Sequence, residues 1–140
     1  MIRTFEAADL DAVMDLWLAA NLDAHDFIPA DYWQRHVPAV RKMIPAAEVY
    51  VSEQDGIILG FLGLSGDYIA GIFVKKSARR AGVGTELLHT AKKRREKLHL
   101  SVYQKNTPAV RFYERERFYL ISQGIDEDTG EEALELSWVP

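Results

Sequence analysis

The 140-residue sequence contains no cysteine, which excludes disulfide bonds and thiolate chemistry and fits a reducing compartment. It also lacks any apolar run near the ~20 residues that a membrane-spanning helix requires. Charged residues from Arg3 onward leave no room at the N-terminus for the apolar segment of a signal peptide. We therefore predict a cytoplasmic protein with no membrane association and no bound metal.

No linker, repeat or low-complexity segment interrupts the chain, so we predict one domain over residues 1–140. The formal net charge of −4 argues against a protein dominated by nucleic-acid contacts. The basic cluster Lys92–Lys97 is better explained as the exposed C-terminal end of a helix, where cations are favoured. The acidic segment Asp126–Glu135 could attract a basic peptide, but we interpret it as a solvated turn.

Hydrophobic periodicity divides the chain into helices and strands. Apolar residues spaced from Leu10 to Leu18 predict a first helix, and the pattern breaks over Asn21–Pro29. Pro29 suits the first turn of a second helix, and Pro38 within that helix predicts a kink or a split. Two further helices are predicted, one from the glycine turn to about Lys97 and one from Pro108 to about Arg115. The predicted strands are Ile2–Phe5, Val49–Glu53, Ile57–Leu64, Tyr68–Val74, Leu98–Tyr103, Phe118–Gln123 and Ala133–Trp138.

The predicted order of elements is therefore β-α-α-β-β-β-α-β-α-β-β. This order indicates an α/β (α+β) fold with a mixed sheet of about six to seven strands and about four helices on its faces. The unit from Tyr68 to Tyr103 is expected to be a right-handed parallel crossover. Gly71 within its first strand indicates a bulge or a close backbone approach.

The segment between the fourth strand and the third helix carries the pattern Arg79-x-x-Gly82-x-Gly84. Glycines let the backbone approach a bound group closely, and the first turn of a helix leaves N–H groups without internal partners. Together with the positive end of the helix dipole, these features predict a phosphate or pyrophosphate site. The Gly-x-Gly-x-x-Gly pattern of dinucleotide-binding folds and the Gly-x-x-x-x-Gly-Lys pattern of phosphate loops are both absent.

This turn, the order of elements and the later pattern Asn106-x-x-Ala109-x-x-Phe112-Tyr113 together resemble the GNAT superfamily of N-acetyltransferases, whose sheet is mostly antiparallel. The segments Leu100–Asn106 and His25–Ile28 resemble a bacterial subgroup that includes protein-lysine acetyltransferases. The resemblance implies transfer of an acetyl group from acetyl-CoA to a primary amine by direct attack, with a protein lysine or N-terminus as acceptor. Two alternatives stay open, namely acetylation of a small-molecule amine and a non-catalytic acyl-CoA-binding regulatory module.

The resemblance also implies roles for individual residues. The backbone of the turn is expected to bind the pyrophosphate of acetyl-CoA, and the fourth strand to pair with the pantetheine arm. The residues implied in cofactor binding are Ile72, Phe73, Val74, Arg79, Arg80, Ala81, Gly82, Val83, Gly84, Thr85 and Asn106. Tyr113 matches the family tyrosine that protonates the departing thiolate. Arg117 stands where the family commonly has glycine, so it is expected either to bear steric strain of about 1 kcal/mol or to end the helix differently.

The acceptor amine must attack in its neutral form. Near neutral pH a lysine is only about one part in a thousand neutral, so it requires a general base or an ordered water, whereas an N-terminal amine hardly does. The candidate bases are His25, Glu48 and His36, of which His36 is more simply a structural residue. Phe27 and Tyr68 are predicted to line the acceptor slot. The end strands could pair with a second copy, so either a monomer or a homodimer is expected.

Overall fold

The computed structural model describes residues 1–140 and contains four α-helices and one sheet of seven strands. Three short 3₁₀ turns join some of these elements. The predicted order of strands and helices is confirmed. The strands are β1 (Ile2–Thr4), β2 (Glu48–Gln54), β3 (Ile57–Ser65), β4 (Tyr68–Val74), β5 (Leu98–Tyr103), β6 (Tyr119–Ile125) and β7 (Glu132–Trp138), and the helices are α1 (Leu10–Ala24), α2 (Ala30–Met43), α3 (Val83–Arg94) and α4 (Thr107–Arg115).

The strands lie in the spatial order β1-β2-β3-β4-β5-β7-β6. Every neighbouring pair is antiparallel except β4 and β5, which are parallel and are joined through α3. The mixed, mostly antiparallel sheet expected from the sequence is therefore confirmed, as is the parallel relation between β4 and β5. The edge strands are β1 and β6.

Each face of the sheet carries its own apolar core, because successive side chains of a strand point to opposite faces. In β2, Val49 and Val51 pack with α1 and α2, whereas Tyr50 between them packs on the other side with α3. Helices α1 and α2 therefore cover one face, and α3 and α4 cover the other. None of the four helices combines the length and apolarity needed to cross a bilayer.

Helix α1 differs from the sequence prediction, and of the kink or split predicted at Pro38 in α2 the split does not occur. Helix α1 continues through Asn21, whose side-chain amide donates to the carbonyl of Trp17 (2.9 Å) inside the helix, so the break begins only at His25. Helix α2 runs through Pro38 without a split. Because proline has no N–H, the carbonyl of Gln34, four residues before Pro38, has no helical donor. Gln34 is exposed, so water can donate a hydrogen bond to that carbonyl.

The parallel pair at the centre of the sheet separates soon after it begins. Strands β4 and β5 are paired only at Tyr68↔His99 and Ile69↔Leu100. On the other edge of β4, the pairing with β3 shifts register between Gly63 and Leu64, which leaves Ala70 as an extra residue. Such a bulge bends and twists its strand. Beyond the bulge, β4 diverges from β5, which leaves its backbone on that side without a partner strand.

Candidate active site

A cavity of about 300 Å³ opens where β4 and β5 diverge. Both strands line it, and α1, α2, α4 and the β6–β7 turn complete its walls. The strand residues in its wall are Tyr68, Ala70, Gly71, Ile72 and Phe73 from β4 and Ser101, Val102 and Tyr103 from β5. The unpaired edge of β4 therefore faces a space in which an extended ligand can pair with it, as an added strand would.

Gly71 is the one position in this wall where glycine is required by packing. A Cβ atom built on Gly71 would lie 2.4 Å from the ring of Phe73, so the ring occupies the space over the glycine. Phe73 also stacks on Phe61 of β3, with ring centroids 4.9 Å apart. The close approach expected at Gly71 is thus made by a side chain of the same strand, and it fixes the wall of the cavity.

Tyr113 projects from α4 into the cavity wall and is 7% exposed. Its ring packs against Phe112 and Phe118 at centroid distances of 5.3 and 5.5 Å. Burial, reinforced by the neighbouring phenol of Tyr68, raises the pKa of Tyr113 above its ordinary value. The hydroxyl therefore carries its proton throughout the physiological pH range, as a proton donor must.

Asn106 caps α4 and also contacts the opposite wall of the cavity. Its side-chain oxygen accepts from the backbone N–H of Ala109 (3.4 Å), so its amide nitrogen faces His25 Nε2 at 3.2 Å. Asn106 is therefore the N-cap of α4. The second contact ties the start of α4 to the break between α1 and α2, and both residues line the cavity.

His25 is a neutral ring in this arrangement. Burial lowers its pKa to about 4. Because Nε2 accepts from Asn106, the ring proton resides on Nδ1, which is buried without a hydrogen-bond partner. The ring stacks on Trp33 and stands edge-on to Phe27 and Tyr103. A histidine with so low a pKa and an occupied lone pair is poorly suited to accept a proton from an amine.

The predicted phosphate turn has the geometry of an anion site. Gly82 is the N-cap of α3 with φ +83°, a conformation that favours glycine, and no side chain caps this helix. The first internal bond runs from Glu86 N–H to Gly82 O (3.0 Å), so the N–H groups before Glu86 lack helical partners. Arg80 is also left-handed, with φ +69°. A Cβ on Gly84 would meet only ordinary contacts, the nearest at 3.6 Å, so packing alone does not require that glycine.

The basic side chains near this turn contact α1 instead of surrounding the turn. Arg79 forms an ion pair with Asp23 of α1 (2.6 Å), and Lys76 lies 3.5 Å from the same carboxylate. Both line a second cavity of about 800 Å³ between α1 and the ends of β3 and β4. That cavity contains neither Tyr113 nor Asn106. The predicted cofactor residue Arg79 is therefore held on the α1 side of the turn by Asp23.

The remaining predicted acceptor residues occupy different places. Tyr68 lines the cavity, and Phe27 packs behind it with its ring 5.8 Å from that of Tyr103. Glu48 does not line the cavity, and its carboxylate accepts from Tyr50 and from Arg95 (2.7 Å). The hydrogen bond from Tyr50 has the largest effect on the pKa of Glu48, followed by that from Arg95, and both lower it. His36 lies on α2 with Nδ1 2.6 Å from the carbonyl of Tyr32, a structural contact.

Several cavity residues were not given a site role from the sequence, and three of them carry polar groups that bear on the chemistry of the site. They are Trp33, whose buried Nε1 has no partner, and the pair Tyr103 and Asp126, whose hydroxyl and carboxylate are 2.7 Å apart. Trp33 resembled an ordinary core position of an amphipathic helix. Asp126 lay within an acidic turn, where nothing in the local pattern distinguished it from its exposed neighbours. Only the folded sheet brings the end of β6 beside β5.

Arg117 occupies the left-handed position that ends α4, with φ +71°. The N–H of Phe118 bonds the carbonyl of Tyr113 (2.9 Å), and that of Arg117 bonds Glu114 (3.0 Å). This pair of bonds is the Schellman ending of a helix, which favours glycine at the position that Arg117 fills. Of the two outcomes expected, the chain therefore takes the strained one.

Comparisons with known proteins agree with this geometry. The model of the acetyltransferase (GNAT) domain matches residues 45–119. The chain is 36% identical to the peptidyl-lysine N-acetyltransferase YiaC of Escherichia coli K12, over 99% of this chain and 96% of that protein. The solution structure of apo-form YjaB from Escherichia coli superposes with a TM-score of 0.88 at 26% identity, over 99% of this chain and 97% of that one. The Salmonella typhimurium yncA protein with its cofactor acetyl-CoA shares the fold, with a TM-score of 0.72 at 16% identity, over 99% of this chain and 92% of that one.

The chain belongs to the GNAT family of acetyltransferases. It is an enzyme that transfers an acetyl group from acetyl-CoA to an amine nitrogen. The non-catalytic binding module considered from the sequence is set aside by this assignment.

Proposed function

We propose that this enzyme acetylates the ε-amine of lysine side chains in proteins, acting through a single domain that spans residues 1–140. The observation that carries the proposal is the cavity between β4 and β5, with Tyr113 in its wall and the phosphate turn at the end of β4. The relative named above as a peptidyl-lysine N-acetyltransferase, YiaC, supports lysine as the acceptor.

Acetyl-CoA is bound along β4 in this proposal. Its pyrophosphate accepts hydrogen bonds from the backbone of Arg80–Thr85, where Gly82 leaves the space above the turn open. The pantetheine amides pair with the free edge of Ile72–Val74, and Asn106 borders the same space. This path directs the thioester toward Tyr113. Arg79 contributes positive charge near the phosphates while paired with Asp23.

The reaction proceeds by direct attack. The lysine ammonium first loses a proton to water, because His25, the histidine in the cavity wall, has a low pKa and an occupied lone pair. The neutral nitrogen then attacks the thioester carbonyl, forming the C–N bond. The C–S bond breaks as the Tyr113 hydroxyl donates its proton to the sulfur, and the nitrogen releases its second proton to water. The phenolate of Tyr113 regains a proton from water, so acetyl-lysine, coenzyme A and one net proton are formed from the lysine cation and acetyl-CoA.

The proposal is tested by incubating the protein with acetyl-CoA and a library of peptides and small amines, followed by mass spectrometry. Each lysine peptide has a blocked N-terminus and one internal lysine, so acetylation adds one acetyl group at a defined position, and a separate set of lysine-free peptides has free N-termini. The expected result is acetyl-lysine formation that depends on active enzyme. Acetylation of small amines alone would refute the protein acceptor, and free N-terminal peptides serve to detect α-amine transfer.

A further inference from the structure

We infer that Asp126 recognises the positive charge of the acceptor and so selects a lysine-like ammonium over a neutral group. This inference rests on the proposed function, because it concerns the acceptor side of the same cavity. Asp126 is the only charged side chain among the 17 residues that line the cavity. The rest of the wall consists of aromatic, aliphatic and uncharged polar residues.

The carboxylate of Asp126 is held in a fixed direction. One oxygen accepts from the Tyr103 hydroxyl at 2.7 Å, and the other accepts from the backbone N–H of Asp128 at 2.9 Å. The turn that carries it is closed by bonds between Asp126 and the backbones of Glu131 and Gly130. A carboxylate oxygen has two acceptor directions, so each oxygen retains one for a ligand.

No basic group of the protein neutralises this carboxylate. The nearby Lys105 pairs instead with Glu131 at 2.8 Å, and no lysine or arginine lies within 4.0 Å of Asp126. By contrast, Asp9, Asp23 and Glu48 elsewhere in the chain each have a basic partner. The cavity therefore keeps one negative charge available for a cationic ligand.

The aromatic wall beside Asp126 suits an ammonium group in a second way. Tyr103, whose hydroxyl donates to Asp126, lines the same cavity, and aromatic faces attract cations. Phe27 does not line the cavity, and its ring already lies 5.5 Å from the ammonium of Lys105, so that ring is not available to the acceptor.

The test compares Asp126→Asn with Glu127→Gln. Glu127 is exposed on the same turn and does not line the cavity, so its variant removes one charge nearby and controls for long-range electrostatics. Steady-state kinetics use a peptide with a blocked N-terminus and one lysine, and acetyl-CoA as donor. A charge-assisted hydrogen bond is worth ~1.5–3 kcal/mol, so Asp126→Asn should raise the KM for the peptide roughly 10- to 100-fold. The variant should not lower kcat, because Asp126 captures the ammonium before deprotonation and the neutral amine is the form that reacts. The KM for acetyl-CoA should stay within about threefold of wild type.

Asp126→Glu provides the conservative rescue, because it restores the charge at slightly longer reach. It should recover much of the lost affinity for the peptide, whereas a purely structural role would leave both variants equally impaired. Thermal unfolding checks that each variant is folded. The inference is overturned by an unchanged peptide KM in Asp126→Asn, by an equal rise in the KM for acetyl-CoA, or by failure of Asp126→Glu to rescue a folded protein.

Failure of the inference and failure of the proposed function give different results. If wild type acetylates the lysine peptide and Asp126→Asn does so with the same KM, only the inference falls. If wild type acetylates butylamine but no peptide, the protein acceptor is refuted, and the same variants are compared on butylamine, which is also a cation at neutral pH. If wild type acetylates neither amine, the proposed function and the inference fall together.

Discussion

Replacing Tyr113 with phenylalanine should slow acetyl transfer while leaving acetyl-CoA binding and the fold almost unchanged. The substitution removes one oxygen from a ring that is 7% exposed and keeps the contacts with Phe112 and Phe118. A swap that conserves volume to this degree changes the free energy of unfolding by less than about 1.5 kcal/mol. Any large effect on rate is therefore chemical in origin.

The size of the effect follows from the leaving group. General acid catalysis contributes roughly 10²- to 10⁴-fold, and it contributes least when the leaving group is already a stable anion. A thiol with a pKa near 8.5 leaves as a thiolate far more readily than an alcohol leaves as an alkoxide. We therefore expect kcat to fall about 10- to 1000-fold, which corresponds to about 1.4–4 kcal/mol. Burial raises the pKa of Tyr113, and it also raises the pKa of a coenzyme A thiol formed beside it. Proton transfer from the phenol to the sulfur is therefore not strongly unfavourable.

The assay measures the coenzyme A thiol with a chromogenic disulfide reagent. The enzyme has no cysteine and so contributes no background. Because Tyr113 acts only in the transition state, kcat and kcat/KM for the acceptor should fall together at constant KM for acetyl-CoA. Tyr119→Phe, on the exposed strand β6, is the matched control. A wild-type kcat for folded Tyr113→Phe would refute the assignment of Tyr113 as the acid.

Three further substitutions test other parts of the structure. Gly82→Ala should raise the KM for acetyl-CoA about 10-fold or more, because its Cβ would enter the open space above the turn, and should lower stability by about 1 kcal/mol because φ is +83°; an unchanged KM would place the pyrophosphate elsewhere. The pKa of His25 is about 4 in the folded protein and 6.5 in its ordinary state, so as the pH falls the unfolded chain binds a proton at His25 before the folded protein does. The contribution of neutral His25 to the free energy of unfolding is therefore full above pH 6.5 and is lost as the pH falls toward 4. After allowance for partial exposure of the ring, urea titrations should show a loss of about 1–2 kcal/mol between pH 7 and pH 5, absent in His25→Gln and retained in His36→Gln. Arg117→Gly should raise stability by about 1 kcal/mol, and the melting temperature by about 3 °C, by relieving a left-handed arginine; a lower melting temperature would contradict that strain.

Local patterns in the sequence predicted most of the fold. The apolar periodicities of the helices and the alternation in the strands gave the element order, because these patterns depend on residues close in the chain. The errors were also local in origin. Helix α1 extends through Asn21 because the side chain bonds back to Trp17, and α2 tolerates Pro38 because Gln34 is exposed to water. Such compensations depend on contacts that a periodicity does not describe.

The glycine turn that we propose as the phosphate site could be recognised from the sequence, because the features that define it are contiguous in the chain. Glycines, a helix start and neighbouring basic residues lie within Lys75–Thr85, and the structure keeps them in one turn. The partner of Arg79 could not be predicted, since Asp23 is 56 residues away on another helix. The same holds for His25 and Asn106, which are 81 residues apart and meet across the cavity.

The sequence by itself determined the helices, the strands and the glycine turn before α3, since each arises from interactions among neighbouring residues. Only the tertiary structure decided which side chains share the cavity. The divergence of β4 from β5 opens the space, and the pairing of β5 with β7 brings Asp126 next to Tyr103. The fold likewise paired Glu48 with Tyr50 and Arg95, away from the cavity. Proximity between distant residues depends on strand register and sheet twist, and those are properties of the whole fold.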